Sequence, residues 1–177
     1  MRKIILGISS SISAYKACDL TRLFVKNGYD IHIVMTHNAT KLITPLTLEV
    51  LSGNPVWTDS FVRKNNLMGH IALKDNAAAF LVAPATANII GKFSSGIADD
   101  LLTTTFMSVS CPVIIAPAMN PSMWNNAILK DNIKRLQSFN IHIIGPDKGQ
   151  VICGDEGEGK LSNIEEIYNE TVKIIEL

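Results

Sequence analysis

The sequence predicts a three-layer α/β domain, a doubly wound parallel sheet with helices on both faces. Three observations predict it. Short apolar runs alternate with helix-length amphipathic segments along all 177 residues, the pattern of repeated strand–helix units. Those runs are near-continuous in Ile, Val and Leu, as in strands covered on both faces. The composition also suits one packed core: 47% of residues are hydrophobic and 18% charged, too apolar for a disordered chain. A domain of this length buries about 70% of its unfolded surface and needs no staples. Residues 1–177 therefore read as a single domain.

The strands fall at Lys3–Ile8, Asp30–Met35, Ala79–Ala83, Pro112–Ala116 and Ile141–Ile144. Ser13–Lys26 is the first helix, with Ala17, Leu20 and Phe24 on one stripe. A short helix over Ile71–Ala78 precedes the third strand. Asp99–Ser108 opens with two acids, which suit a helix N-terminus. Asn125–Phe139 fills the next gap. The last helix starts near Ser162, with Glu165 three residues on, a capping-box spacing. Its Ile164, Ile167, Tyr168 and Ile175 form one apolar stripe.

Several function classes are excluded at this level. Sixteen Lys+Arg balance sixteen Asp+Glu, unlike the basic excess of a nucleic-acid binder or a polybasic membrane-surface protein. Arg2-Lys3 and Ile4-Ile5-Leu6 hint at a secretory signal, but the run breaks at Gly7, short of the roughly 7–15 apolar residues needed. No stretch reaches the roughly 20 apolar residues of a membrane span. Cys18, Cys111 and Cys153 are widely spaced and odd in number, which argues against a disulfide framework or a zinc ribbon. A reducing, cytoplasmic setting is the simplest reading.

In a doubly wound sheet, ligands bind beyond the carboxyl ends of the strands. The loops there are distinctive. Ser9-Ser10-Ser11-Ile12-Ser13 follows the first strand; its hydroxyls and free N–H groups suit either an anion or an N-cap. No GxGxxG dinucleotide fingerprint is present. Thr36-His37-Asn38 follows the second strand, and Pro84-Ala85-Thr86-Ala87-Asn88 the third, where another helix would start. After the fourth comes Ala116-Pro117-Ala118-Met119-Asn120-Pro121-Ser122-Met123-Trp124, which joins two Met and a Trp to one amide in a Pro-bracketed turn. It reads either as a ligand loop or as one folded back into the core. Two long stretches lack clear periodicity: 53–69, and the glycine-rich 145–161. A compact domain rarely keeps such loops unused. His70 precedes a helix and is either structural or catalytic; His32 and His142 lie in strand patterns, as packing or edge residues. Cys153, in a glycine-rich loop, can reach a ligand and exchange a proton. Cys18 and Cys111 read as buried and inert.

These residues resemble those of the flavin-dependent cysteine decarboxylases, the HFCD flavoproteins, from Lys3 to the final helix. Pro117–Trp124 fits that family's PxMNxxMW signature. His70-Ile71 before a helix, Pro84–Asn88 running into Gly96-Ile97-Ala98-Asp99-Asp100-Leu101-Leu102, and Cys153-Gly154 within CGDEGEGK complete the likeness. The resemblance implies a flavodoxin-like or Rossmann-like fold and an FMN cofactor. It implies that Ser10, Ser11, Ile12, Thr36, Asn38, Thr86, Ala87, Asn88 and Ala118 line the FMN site. His70 would be the base, Asn120 would hold the substrate carboxylate, and Cys153, on a flap, would be the acid; no metal is implied. Thr86 stands where the family often has Ser, which keeps the hydroxyl. Lys160 stands where relatives vary and receives no role.

The implied reaction converts 4'-phosphopantothenoylcysteine to 4'-phosphopantetheine in coenzyme A biosynthesis. The thiol is transiently oxidised to a thioaldehyde, CO2 leaves, and the ene-thiol is reduced again, with the flavin carrying the hydride. Peptidyl-cysteine decarboxylases of lantibiotic pathways share the signature but lack the flap cysteine, so Cys153 argues against them. Flavin prenyltransferases lack the signature. Non-catalytic flavin-binding regulatory subunits of phosphatases carry long acidic tails. An electron-transfer flavodoxin would be strongly acidic and would need neither His70 nor Cys153. The resemblance further implies a homo-oligomer, a trimer or a dodecamer of trimers, with FMN at subunit contacts to which Trp57–Leu67 contributes. It also implies a functional link to a separate phosphopantothenate–cysteine ligase, and no nucleic-acid or membrane partner. Leu177 closing an amphipathic helix favours a single-activity chain over a trimmed fusion.

Overall fold

The computed structural model describes residues 1–58, 69–150 and 156–177. Its main sheet has five parallel strands: β1 (Lys3–Ile8), β2 (Asp30–Met35), β3 (Ala77–Ala85), β4 (Val113–Pro117) and β5 (His142–Ile143). Their order is β2-β1-β3-β4-β5. The chain leaves β1 toward one edge, then returns past it to β3. The strand order thus reverses between β1 and β3, where the carboxyl ends part to leave a crevice. A separate antiparallel hairpin joins β6 (Asp147–Gln150) to β7 (Glu156–Lys160).

The helices are α1 (Ala17–Lys26), α2 (Pro45–Ser52), α3 (Gly69–Lys74), α4 (Ala87–Ser95), α5 (Leu101–Ser108), α6 (Pro121–Trp124), α7 (Ala127–Ser138) and α8 (Ile164–Glu176). Strand side chains alternate between the two faces, and the core divides accordingly. Ile4, Leu6, Ile8, Ile31, Ile33 and Leu81 pack with Leu20 and Phe24 of α1, Leu48 of α2 and Ile167 of α8. Ile5, Phe80, Val82 and Ile115 pack with residues of α3, α4, α5 and α7, among them Leu73, Phe93, Leu102 and Ile133. These strands are buried on both sides, which is why they read as unbroken apolar runs. Gly7 interrupts the first run for a packing reason. A Cβ there would lie 2.6 Å from Leu102 Cδ1, so the missing side chain lets α5 close on the sheet.

The structure bears out the fold class and moves several boundaries. β1 and β2 match the expected ranges. β3 is longer, and β5 keeps two residues of the four expected. Ser13–Lys26 resolves into a 3-10 turn (Ile12–Lys16) followed by α1. Asn125 closes α6 and Asn126 caps α7, so Asn125–Phe139 shortens at both ends. Asp100 is itself the N-cap of α5, in a capping box with Thr103, while Asp99 pairs with Lys92. The helix expected over Ile71–Ala78 stops at Lys74, because Asn76 takes a left-handed φ of 58° and the chain enters β3. Lys3 Nζ donates to the carbonyls of Ala72 and Asp75 at 2.8 and 3.0 Å, satisfying the end of α3. Asn163, not Ser162, caps α8: its Oδ1 accepts from Glu165 N–H at 2.9 Å. Ser162 is buried and donates to Asp147 Oδ1. The helix α2 and the β6–β7 hairpin appear in no sequence expectation.

At the start of β2, Asp30 accepts hydrogen bonds from Asn54 Nδ2 (2.7 Å) and His32 Nε2 (2.9 Å). Burial pushes the Asp30 carboxyl up, but those hydrogen bonds and the charges of His32 and Lys3 outweigh it and hold it below the usual carboxylate range. A carboxyl depressed by folding contributes stability above its unfolded pKa and loses it as pH falls through the folded one. Asp30→Asn should therefore lower stability at pH 7, by less than about 1 kcal/mol because the group is partly exposed. Thermal melts of both proteins should converge as pH falls below about 4, the unfolded value. A gap that stays constant down to pH 2 would contradict this account.

Candidate functional site

Two adjoining clefts occupy the crevice and share Ser10 and Thr86 in their walls. The larger holds about 490 Å³ and is mostly apolar, with Ile12, Ala118, Met119 and Met123 in its lining. The smaller holds about 210 Å³ and is polar. Its lining includes Thr36, Asn38 and Asn88.

Backbone and side-chain bonds lace these loops together. Ser9 is buried, donates its hydroxyl to Pro84 O at 2.8 Å and accepts from Thr86 N–H at 2.9 Å. It thereby clips the loop after β1 to the loop after β3. Thr36 N–H donates to Ile8 O (3.0 Å) and Ala118 N–H to Ala85 O (2.9 Å). Four strand ends are fixed relative to one another in this way.

All nine residues expected around a flavin line one cleft or the other. Ser10, Ser11, Ile12, Thr86, Ala87 and Ala118 line the larger, with Asn120. Ser10, Thr36, Thr86 and Asn88 line the smaller, with Asn38. The capping alternative also holds for several of them. Ser11 Oγ accepts from Ser13 N–H, Thr86 Oγ1 from Ile89 N–H, and Asn120 Oδ1 from Ser122 N–H at 2.7 Å. The last bond orients the Asn120 amide, since its oxygen faces the helix that it caps.

His70 is half-buried in the first turn of α3 and lines neither cleft. Its helix packs on α5, with Gly69 against Trp57 and Leu101. Cys153 lies outside the described residues, as do residues 59–67 of the Trp57–Leu67 segment. Cys18 and Cys111 are half-buried rather than fully buried. Burial pushes both thiols up, with Asp19 adding to the effect at Cys18, which disfavours the thiolate form. His32 is tied to Asp30, and His142 is exposed on the edge strand β5. Among the described residues, no three His, Cys, Asp or Glu side chains are grouped to hold a metal. No described helix is long and apolar enough to cross a membrane.

The sequence reading missed the wall formed by β7. Gly159 and Lys160 line the larger cleft together with Tyr15, Lys16, Met119 and Met123. The odd composition of Pro117–Trp124 now has a physical reason, because this loop is where β7 docks. Met119 N–H donates to Gly159 O at 2.8 Å, and Trp124 Nε1 donates to Glu158 Oε2 at 3.1 Å. Lys130 Nζ lies 3.9 Å from the Trp124 ring centroid, within cation–π range. The signature loop thus carries Asn120 into the cleft while its Met119 and Trp124 hold the hairpin.

The family model described as Flavoprotein matches residues 1–176. The chain belongs to the Flavoprotein family. Over 169 residues this flavoprotein is 40% identical to the probable phosphopantothenoylcysteine decarboxylase of Streptococcus mutans serotype c, covering 94% of each chain. It is 42% identical over 167 residues to the coenzyme A biosynthesis bifunctional protein CoaBC of Bacillus subtilis (strain 168), covering 94% of this chain and 41% of that protein. The chain thus spans about two fifths of the length of the CoaBC relatives that it matches. Among solved structures, it superposes on a cysteine-to-serine mutant of PPC decarboxylase complexed with pantothenoylaminoethenethiol. The TM-score is 0.90 at 28% identity, covering 99% of both chains. The FMN-dependent cysteine decarboxylase SpaF matches with a TM-score of 0.86 at 28% identity, covering 99% of this chain and 97% of that one.

The docking of β7 generates a prediction. Gly159 has a φ of 148°, and a Cβ there would lie 2.4 Å from Met119 O. Backbone cannot yield as a flexible side chain does, so Gly159→Ala should cost about 1–3 kcal/mol. Calorimetry should show a fall in Tm, and the tryptophan emission should shift red as Trp124 loses its cover. An unchanged Tm and spectrum would mean that β7 does not depend on this close approach.

Proposed function

We propose that this flavoprotein is an FMN-dependent decarboxylase that converts 4'-phosphopantothenoylcysteine to 4'-phosphopantetheine and CO2, a step of coenzyme A biosynthesis. The observation that carries the reading is the placement of Asn120. The signature amide stands in the same cleft as the residues expected around the flavin. Similarity to the Streptococcus mutans decarboxylase over nearly its whole length supports this substrate over a peptidyl cysteine.

The donor set fits FMN. A phosphate and ribityl chain need several neutral donors, and the smaller cleft supplies Ser10, Thr36, Asn38 and Asn88 beside the first turn of α4. A flat ring system needs apolar walls with small side chains, and Ile12, Ala87 and Ala118 supply them in the larger cleft. When bound there, FMN supplies reversible hydride chemistry.

The protein groups do the rest. Loss of CO2 leaves an electron pair on carbon, and a thioaldehyde beta to the carboxylate gives that pair a place to go. Two hydrogens leave the CH2–SH unit before decarboxylation and two return afterwards, so the whole reaction is redox-neutral. The family likeness assigns the thiol proton to His70, which lines neither cleft of its own chain and would reach the substrate across a subunit contact of the homo-oligomer. The Asn120 NH2 donates to the carboxylate and fixes which carbon is presented. The apolar cleft walls exclude water from the reacting carbon. Cys153 returns the proton to the ene-thiol carbon; a thiol with a pKa of about 8.5 still carries its proton at neutral pH. The link to a ligase rests on the CoaBC relatives, which are bifunctional. A homo-oligomeric, cytoplasmic enzyme completes the proposal.

Two variants test these assignments. Asn120→Asp keeps the cap on Ser122 N–H, since Asp and Asn cap equally well, but replaces the donor with a like charge. Its kcat/KM should fall further than that of Asn120→Ala, by more than the about 100-fold that one lost donor costs. Equal, mild losses in both would exclude a carboxylate contact. Cys153→Ser should release CO2 once and stall with reduced, bleached flavin. Mass spectrometry of a single-turnover mixture should find a product two hydrogens lighter than 4'-phosphopantetheine. Full turnover to the saturated thiol at the wild-type rate would remove Cys153 from the mechanism.

A further inference from the structure

The larger cleft carries an electrostatic feature that the decarboxylation chemistry does not use. Its only charged lining residues, among the described ones, are Lys16 and Lys160; no carboxylate faces it. They come from separate elements. Lys16 ends the 3-10 turn after β1, and Lys160 ends β7. Several other lysines are engaged: Lys92 with Asp99, Lys173 with Glu170, Lys3 with two carbonyls, Lys130 with Trp124. What sets Lys16 and Lys160 apart is that both line this cleft. Among the described residues, Lys16 and Lys160 have no ion pair. Glu158, the nearest acid on β7, spends its carboxylate on Trp124 Nε1.

Two like charges on one cleft repel unless an anion joins them. The smaller cleft differs, because its lysine, Lys92, is already neutralised by Asp99 at 2.7 and 2.8 Å. A cofactor phosphate held there by neutral donors leaves the Lys16–Lys160 pair for a second anion. The first anionic group of the proposed substrate, its carboxylate, is assigned to Asn120. The other is its phosphate monoester, which carries about −1.5 to −2 charge at pH 7 and so matches two ammonium groups.

We propose that Lys16 and Lys160 form a phosphate-monoester clamp that selects the phosphorylated substrate over its dephosphorylated form and over peptidyl cysteines. The proposal rests on the decarboxylase reading and names the specificity element of that site. Lysine acts here as a point charge rather than a fork. The clamp should therefore tolerate arginine and weaken with salt.

The test compares 4'-phosphopantothenoylcysteine with pantothenoylcysteine on the holoenzyme. It uses wild type, Lys16→Met, Lys160→Met, the double variant and both Lys→Arg changes, and FMN affinity is measured in parallel by fluorescence quenching. Wild type should prefer the phosphorylated compound. Each Met variant should lose about tenfold of that preference, mainly through KM, and the double variant should approach equal use of both. Arginine should restore most of it, and FMN affinity should stay within about twofold of wild type. A double variant that keeps the wild-type preference overturns the clamp. So does a loss of FMN affinity with equal loss on both compounds, which would assign the lysines to the cofactor phosphate. If wild type holding FMN decarboxylates neither compound, the decarboxylase reading falls and the clamp with it.

Discussion

The Ser9 hydroxyl holds the site together. It is buried where β1 ends, gives its proton to Pro84 O and takes the N–H of Thr86. Pro84 O also accepts from Ser9 N–H at 3.2 Å, so the hydroxyl's own contribution is the pairing of Thr86 N–H, whose loss costs about 1 kcal/mol or more. The bond therefore fixes how far the first loop stands from the third. Everything in the crevice is placed relative to that clip: the serines that follow Ser9, the cap of α4 that follows Thr86, and Ala118, tied to Ala85 from the other side. The parallel sheet brings the strand ends together, and Ser9 sets their spacing.

The signature loop does two jobs that reinforce each other. Its backbone and Trp124 receive β7, while its Asn120 faces the cleft. A hairpin that leaves the loop would take Gly159 and Lys160 with it and open the larger cleft on that side. Cleft lining, cleft shape and hairpin docking are thus properties of one short segment. Its richness in Met, Trp and Pro follows from contacts on both of its sides.

Much of this was legible in the sequence. Strands such as Lys3–Ile8 and Asp30–Met35 announce themselves because burial on both faces demands unbroken apolar residues. The nine cleft residues follow from loop position and from the family likeness. Other features were hidden for physical reasons. The α2 helix, PLTLEVLS, is short and leaves Leu46 and Val50 exposed, so no clean apolar stripe marks it. The β6–β7 hairpin is built from Gly, Glu and Lys, without the β-branched residues that signal strands, and it is held by its contacts with the signature loop. Ser162 satisfied a capping-box spacing yet serves a tertiary bond to Asp147, a competition that local spacing cannot reveal. Lys160 looked like a variable flap residue until β7 placed it beside the cleft.

The central claim is that the crevice between β1 and β3 is a flavin site shaped by the Ser9 clip. Titration of flavin-free protein with FMN, followed by fluorescence quenching and visible absorbance, tests it most directly. The account predicts saturation at one FMN per chain. It also predicts weaker binding, by about tenfold or more, in a folded Ser9→Ala variant that leaves Thr86 N–H unpaired. Wild-type protein that stays colourless and quenches no FMN fluorescence would contradict the account, as would a Ser9→Ala variant that binds as tightly as wild type.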